Sequence, residues 1–272
     1  MGKGKKFFMY LVLSIASIVS VFPLYYMFCA STNRSIDVIA GKLIPGTYLV
    51  ENFKALIAQQ NLRLALWNSF RNATILTILC LLVCSIAGYG FEIYHDKAKD
   101  AVFTVLLTAM MIPFAAIMIP MFRMFSQLKM VNTMAAFMLP SISTPFMIMM
   151  FRQNSRNFPV DIMEAARIDG SGEFRTFLTI AIPMCKPAIA VQAIFAFVQN
   201  WNNFYTQNMI IVSNEKRFTM PIMIQSVLGQ DKHPNLGAQY AAVALSVIPI
   251  IVIYLILSRF IVAGVALGGV KE

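Results

Sequence analysis

This sequence has little charge for its length. Of 272 residues, 12% are Asp, Glu, Lys or Arg, while 58% are hydrophobic. A soluble domain carries roughly twice that charged share. Too few polar side chains are present to cover a water-exposed surface, so lipid is the expected solvent for much of the chain. Histidine and cysteine are also scarce. The two histidines, His95 and His233, are far apart and belong to no ligand pattern, and no metal site is expected. Of the four cysteines, Cys80 and Cys84 stand one helical turn apart in an apolar run, as buried hydrophobes rather than a zinc motif. No G-x-x-x-x-G-K-[ST] phosphate loop occurs, so the chain is not expected to hydrolyse ATP itself. No internal repeat or low-complexity segment is found. No Asp or Glu falls inside an apolar run, Glu92 sitting at the end of one, which speaks against an ion-coupled carrier. The isolated histidines supply no nucleophile–base or metal set for a membrane enzyme.

What is present is oil in long blocks. About 20 apolar residues cross a bilayer. Six segments qualify, at approximately 7–30, 73–93, 101–122, 134–151, 188–212 and 241–262. The expected fold is all-α, a six-helix transmembrane bundle forming a single domain over residues 1–272. The first segment is too long for a signal-peptide core and lacks a convincing cleavage site. A myristoylation signal is excluded by Lys6 at the position that needs a hydroxyl. Residues 61–70 of the first long connection are expected to form a separate short surface helix. Pro23, Pro113, Pro120, Pro140, Pro145 and Pro249 fall within four of the spans and should bend them. Bends suit either a shaped bundle or a moving one.

The net charge of +10 is read as Lys and Arg beside the membrane, not as a nucleic-acid surface. With the N-terminus inside, twelve basic residues lie on the inner side and ten on the outer. The margin is narrow. The basic N-terminus and an Arg-bearing insert favour both termini in the cytoplasm. The nineteen methionines suit adaptable packing better than a metal pathway.

The insert, residues 159–183, is polar and patterned between two apolar blocks. Pro159 and Asp161 precede a helical run that Asp161 can cap, with Glu164 at capping-box spacing. Asp169-Gly170 stops it, the glycine supplying a left-handed closing residue. Ser171 can cap a second helix with Phe174, Phe177, Leu178 and Ala181 on one face and Glu173, Arg175, Thr176 and Thr179 on another. Pro183 and Pro187 end it. A helix–Gly turn–helix of this kind is either a well-capped surface pair or a rigid knob that docks into another protein. In the fifth span, "QNWNNFYTQN" (199–208) places Trp201 about 20 Å beyond the start near Ala188. So many amides do not face lipid. They belong to an interfacial helix end with an aromatic anchor, or they line a solute path, for which Gln199, Asn200, Asn202 and Asn203 are the candidates.

The insert resembles the EAA loop of ABC-importer membrane subunits: Glu164-Ala165-Ala166, three residues, Gly170, nine residues, and then Ile180-Ala181-Ile182-Pro183, with Ile182 where Leu is usual. "WNNFYTQNMIIVSNEKRFTMPIMI" (201–224) and the tail "GGVKE" (268–272) are similar to the carbohydrate branch of these importers, specifically its second, maltose-type permease. The resemblance covers nearly the whole chain. It implies a second, different permease, two cytosolic ATPase subunits that grip the loops and carry ATP and Mg, and an extracytoplasmic binding protein that delivers the solute. It implies ATPase-coupling roles for Glu164, Ala165, Ala166 and Gly170, with Glu164 meeting a basic residue of the ATPase cleft, and no cofactor in this chain. A permease for another solute, such as phosphonate, amino acid or polyamine, shares the EAA loop.

Overall fold

The computed structural model describes residues 3–59, 61–94, 96–156, 158, 160–211, 214–229 and 235–268. Two histidines, Pro159 and most of the "GGVKE" tail lie outside these. Every element among the described residues is helical. Four helices are long and apolar enough to cross a membrane: Gly4–Ser31, Leu62–Ile93, Met134–Ser155 and Leu236–Ile261. Two further crossings arise if each of two bent pairs, Lys97–Ala109 with Phe114–Gln127 and Glu173–Met184 with Lys186–Ile210, counts as one span.

Several sequence expectations are corrected here. Residues 62–70 are not a separate surface helix: the second span begins at Leu62 and runs unbroken to Ile93. No Gly or Pro interrupts it before Gly88. The third span is not one rod. It turns by 104° between Ala109 and Phe114. Pro113 lies at the N-cap of the following helix with extended backbone, since the ring cannot continue the preceding helix. Pro145 likewise opens a helix at its first turn, behind Thr144, whose Oγ1 accepts from the Met147 N–H at 3.3 Å. By contrast Pro23, Pro120, Pro140 and Pro249 sit inside helices without ending them.

The chain divides into two compact units. One comprises residues 1–66 and 219–249. Its first helix, Lys3–Ser31, has an apolar window in which no residue is buried by the rest of the chain, leaving it to lipid or another subunit. The order in this unit is concentrated at the helix's C-terminal end, where backbone amide and carbonyl groups need partners. Asn33 Nδ2 donates to the carbonyls of Cys29 and Ile44, both at 2.9 Å. Asn52 Nδ2 donates to Ser31 O at 2.8 Å and Asn33 O at 3.0 Å. Gly237 is required against this cluster: a Cβ there would fall 2.4 Å from Asn52 Nδ2 and 2.5 Å from Asn33 O.

The other unit comprises residues 67–218 and 250–272. Its core is Cys80, Cys84, Phe103, Met147, Ile148, Phe151 and Ala196, joining the second, third, fourth and fifth span regions. Cys80 and Cys84 are thus buried packing residues, as expected. Gly88 lets the second span touch the fourth: a Cβ would lie 2.4 Å from Phe151 Cβ and 2.7 Å from Arg152 N. A satellite core of Tyr89, Met163, Phe177 and Ala181 seats the polar insert on the end of the second span.

Candidate functional site

The insert folds as an elbow. Its first limb is the helix Val160–Ile168. Because the helix begins at Val160, Asp161 lies inside its first turn and is not the cap. Gly170 closes the limb at φ +73°, where its N–H donates to Arg167 O at 3.0 Å and the Ser171 N–H donates to Ala166 O at 2.9 Å. This is the left-handed closing geometry that glycine adopts most readily and asparagine next.

The second limb starts later and less regularly than its sequence suggests. Gly172, not Ser171, stands at the N-cap of Glu173–Thr176. Ser171 Oγ instead accepts from Thr176 Oγ1 at 3.0 Å. The helix then widens to π geometry over Phe177–Ala181 before Ile182–Met184. Pro183 explains the widening. It has no N–H for the carbonyl four residues back, and its ring would press on that carbonyl in a tight α-turn. The π turn also rotates the buried face. Phe177, Ala181 and Thr176 are buried, whereas Phe174 and Leu178, expected on the same apolar stripe, are exposed.

Of the four predicted coupling residues, Ala166 is buried, while Glu164, Ala165 and Gly170 are exposed. The elbow's outer surface therefore presents Glu164, Ala165, Ile168 and Asp169. Ile168 was not singled out in the sequence, yet it is 86% exposed, among the most exposed large apolar side chains described. The available signal was its place between Arg167 and Asp169, off the Met163–Ala166 face. The back of the elbow is tied down. Arg167 Nε donates to Glu173 Oε1 at 3.0 Å, and the Tyr94 hydroxyl donates to the other carboxylate oxygen of Glu173. Tyr94 first, and Arg167 after it, hold the Glu173 carboxyl below the usual carboxylate range. Asp96, in the short connection before the third span, is likewise lowered by Lys99, whose backbone N–H it caps at 2.9 Å.

The fifth span is a helix only from Lys186 to Trp201. It stops at Asn202-Asn203-Phe204, and a short helix, Tyr205–Ile210, follows. Asn203 makes the break: its Oδ1 accepts from the Thr206 N–H at 3.3 Å and its Nδ2 donates to Ser141 Oγ at 3.4 Å. The expected continuous span to residue 212 is thereby corrected. The four candidate amides do not share one face. Asn200 is buried, Asn203 is half-buried beside Ser141, and Gln199 and Asn202 are exposed. Trp201 is 2% exposed and stacks on Phe197 at 5.7 Å, so it is an interior ring rather than an interfacial anchor. A deeper amide escaped notice: Gln192, fully buried, with both side-chain polar atoms unpartnered. A single amide within "AVQAIFAF" carries no sequence signal of its own. Among the described residues no cluster of three potential metal ligands occurs.

A glycine-turned elbow carried on a spanning bundle is the arrangement against which the chain can be compared with known proteins. Residues 93–267 match the family described as binding-protein-dependent transport system inner membrane component. The chain belongs to this family. As an inner membrane component it is a permease-type subunit, whose transport system includes a solute-binding protein and an ATPase. It is 37% identical over 262 residues, 96% of this chain and 95% of the relative, to the lactose transport system permease protein LacG of Rhizobium radiobacter. It is 31% identical to the arabinooligosaccharides transport system permease protein AraQ of Halalkalibacterium halodurans, covering 93% of this chain and 92% of that one. Its fold matches a chain from the crystal structure of a bacterial ABC transporter involved in the import of the acidic polysaccharide alginate, with a TM-score of 0.81, 17% identity, and 95% and 98% coverage of the two chains. The family match includes the elbow and the broken fifth span.

Proposed function

We propose that this chain is the translocating, non-catalytic subunit of an ATP-driven carbohydrate importer and that its elbow is where work enters. Residues 1–272 act as one permease domain, with 159–183 as the coupling loop. The observation that carries this reading is the elbow's division into two sides. One side, Met163 with Phe177, is packed on the end of the second span, and Ala166 is buried. The other offers Glu164, Ala165 and Ile168 outward on a short helix closed at Gly170. Such a projection transmits displacement because the helix cannot bend without breaking its own hydrogen bonds. Two ATPase subunits, which carry the ATP and Mg, grip this elbow and that of a second, different permease. Ala165 permits close seating, Glu164 meets a cationic group, and Ile168 fills an apolar socket. Closure of the ATPases on ATP favours one of two bundle states, and their release favours the other. Both termini and the elbow lie on the cytoplasmic side, and a binding protein delivers the solute from outside.

Carbohydrate is the favoured cargo because relatives matched over nearly their whole length are named for lactose, arabinooligosaccharides and melibiose, raffinose and stachyose. The half-buried Asn203 and buried Asn200 are suited to sugar hydroxyls, which amides can both donate to and accept from. A second reading, a phosphorylated polyol, is favoured by a 26% identical relative from Brucella abortus named for sn-glycerol-3-phosphate. The test is ATP hydrolysis by the assembled importer in proteoliposomes with its binding protein. The panel is lactose, arabino-oligosaccharides, melibiose, raffinose and sn-glycerol-3-phosphate. Stimulation by a neutral sugar supports the proposal. Stimulation by the phosphate ester alone supports the second reading. Uphill uptake by this chain without ATPase subunits refutes both.

A further inference from the structure

The helix that leads into the elbow and the elbow's own turn are both fastened to the short connection between the second and third spans. At the entry end, Arg152 closes the helix Pro145–Ser155 that leads into the elbow. Its Nε donates to Glu92 Oε2 at 3.0 Å and its Nη2 to Asp100 Oδ1 at 2.8 Å. Its guanidinium carbon stands 4.2 Å from the centroid of the Phe103 ring. The Arg152 side chain is only 12% exposed. Glu92 ends the second span and Asp100 lies in the first turn of the third. One guanidinium thus pins three helix ends. At the turn end, Tyr94 and Arg167 both donate to Glu173.

The chemistry of the pin is specific. A planar fork with separate N–H vectors can hold two carboxylates on different helices while lying on an aromatic face. An ammonium group cannot do all three at once. Simple packing at this place would need only apolar side chains; here a mostly buried guanidinium joins a partly buried Glu92 and a half-exposed Asp100 across two helices. The elbow thus touches the second span directly, through Tyr89, and reaches the third span's first turn through the 92–100 connection.

We propose that residues 92–100 are the output arm of the elbow and that Arg152 is the positioning residue at its fulcrum, holding Glu92 and Asp100 so that elbow displacement turns the third span. This rests on the reading of the elbow as the ATPase dock. The experiment uses the whole assembled importer in proteoliposomes, with Cys185→Ser as background and a bimane fluorophore on Ile168→Cys (elbow) or on Val102→Cys, an exposed position at the start of the third span. The trigger is Mg-ATP with vanadate, so no cargo need be known. With Arg152 intact, bimane emission changes at both positions. With Arg152→Gln, the elbow signal persists and the Val102→Cys signal falls at least fivefold. Arg152→Lys recovers part of it, and Glu92→Gln with Asp100→Asn reproduces the loss. That double variant, close to isosteric, carries the test if Arg152→Gln does not assemble. An undiminished Val102→Cys signal in these variants overturns the proposal. An elbow signal absent with Arg152 intact overturns the docking reading itself and this proposal with it.

Discussion

Replacing Gly170 separates backbone conformation from side-chain bulk. Its φ of +73° lies in the left-handed region, and a Cβ added there would meet nothing within 4 Å. Alanine therefore costs only the left-handed strain, about 1–2 kcal/mol. The turn is held by two hydrogen bonds, from the Gly170 and Ser171 N–H groups, each worth about 1 kcal/mol net. Gly170→Ala thus offsets much of the local hold and lowers the closed-to-open ratio of the turn by a factor of about 5–30. Asn tolerates this region, and Gly170→Asn should cost little. Proline fixes φ near about −65°, deletes the N–H that serves Arg167 O and pushes Asp169 out of helical geometry. The assay is solute uptake per ATP hydrolysed by the reconstituted importer. The expected order is Gly close to Asn, then Ala, then Pro, with Pro uncoupled. Equal damage by Asn and Pro would refute the conformational argument, and wild-type coupling in Gly170→Pro would refute the elbow's role altogether.

Three further outcomes follow. Gly88→Ala forces a Cβ to 2.7 Å from Arg152 N and 2.9 Å from Ile148 O, backbone atoms that cannot step aside; the detergent-solubilised protein should lose about 1–3 kcal/mol in thermal unfolding, whereas Gly90→Ala, with open space, should lose none. The Glu173 carboxyl has a lowered pKa from an ordinary value of 4.5, so its contribution is present above that pH and is lost as pH falls through the lower folded value; protease resistance of the elbow should hold from pH 7 to 5, fall in stronger acid, and lose this dependence in Glu173→Gln. Asn203→Ala removes the bonds to Ser141 and the Thr206 N–H; it should raise the half-saturating solute concentration several-fold, while Gln199→Ala, at an exposed site, should not.

The spans and the elbow were legible in the sequence because each is written locally. Apolar length marks a crossing, and Glu164 to Gly170 marks a helix with its stop. What could not be read depended on partners distant in the chain. Pro113 and Pro145 break helices while Pro23 and Pro249 do not, a distinction set by where the neighbouring helix ends rather than by proline itself. A 3.6-residue spacing puts Phe174 and Leu178 on the second limb's buried face, and the π turn ahead of Pro183 displaces that face. The amides Gln199, Asn200, Asn202 and Asn203 read as part of one continuous span, but Asn203 uses its side chain to stop the helix. Arg152 carried no motif, since its carboxylate partners lie 60 and 52 residues away.

The elbow is expected to face the cytoplasm and to receive the ATPase. The most direct measurement is labelling of Ile168→Cys, in the Cys185→Ser background, with a membrane-impermeant maleimide. In inside-out vesicles the thiol should react quickly, and adding the ATPase subunits should slow it severalfold. In right-side-out vesicles it should not react. Rapid labelling from the outside, or labelling from the inside that the ATPase leaves unchanged, would refute the elbow's role as the cytoplasmic dock.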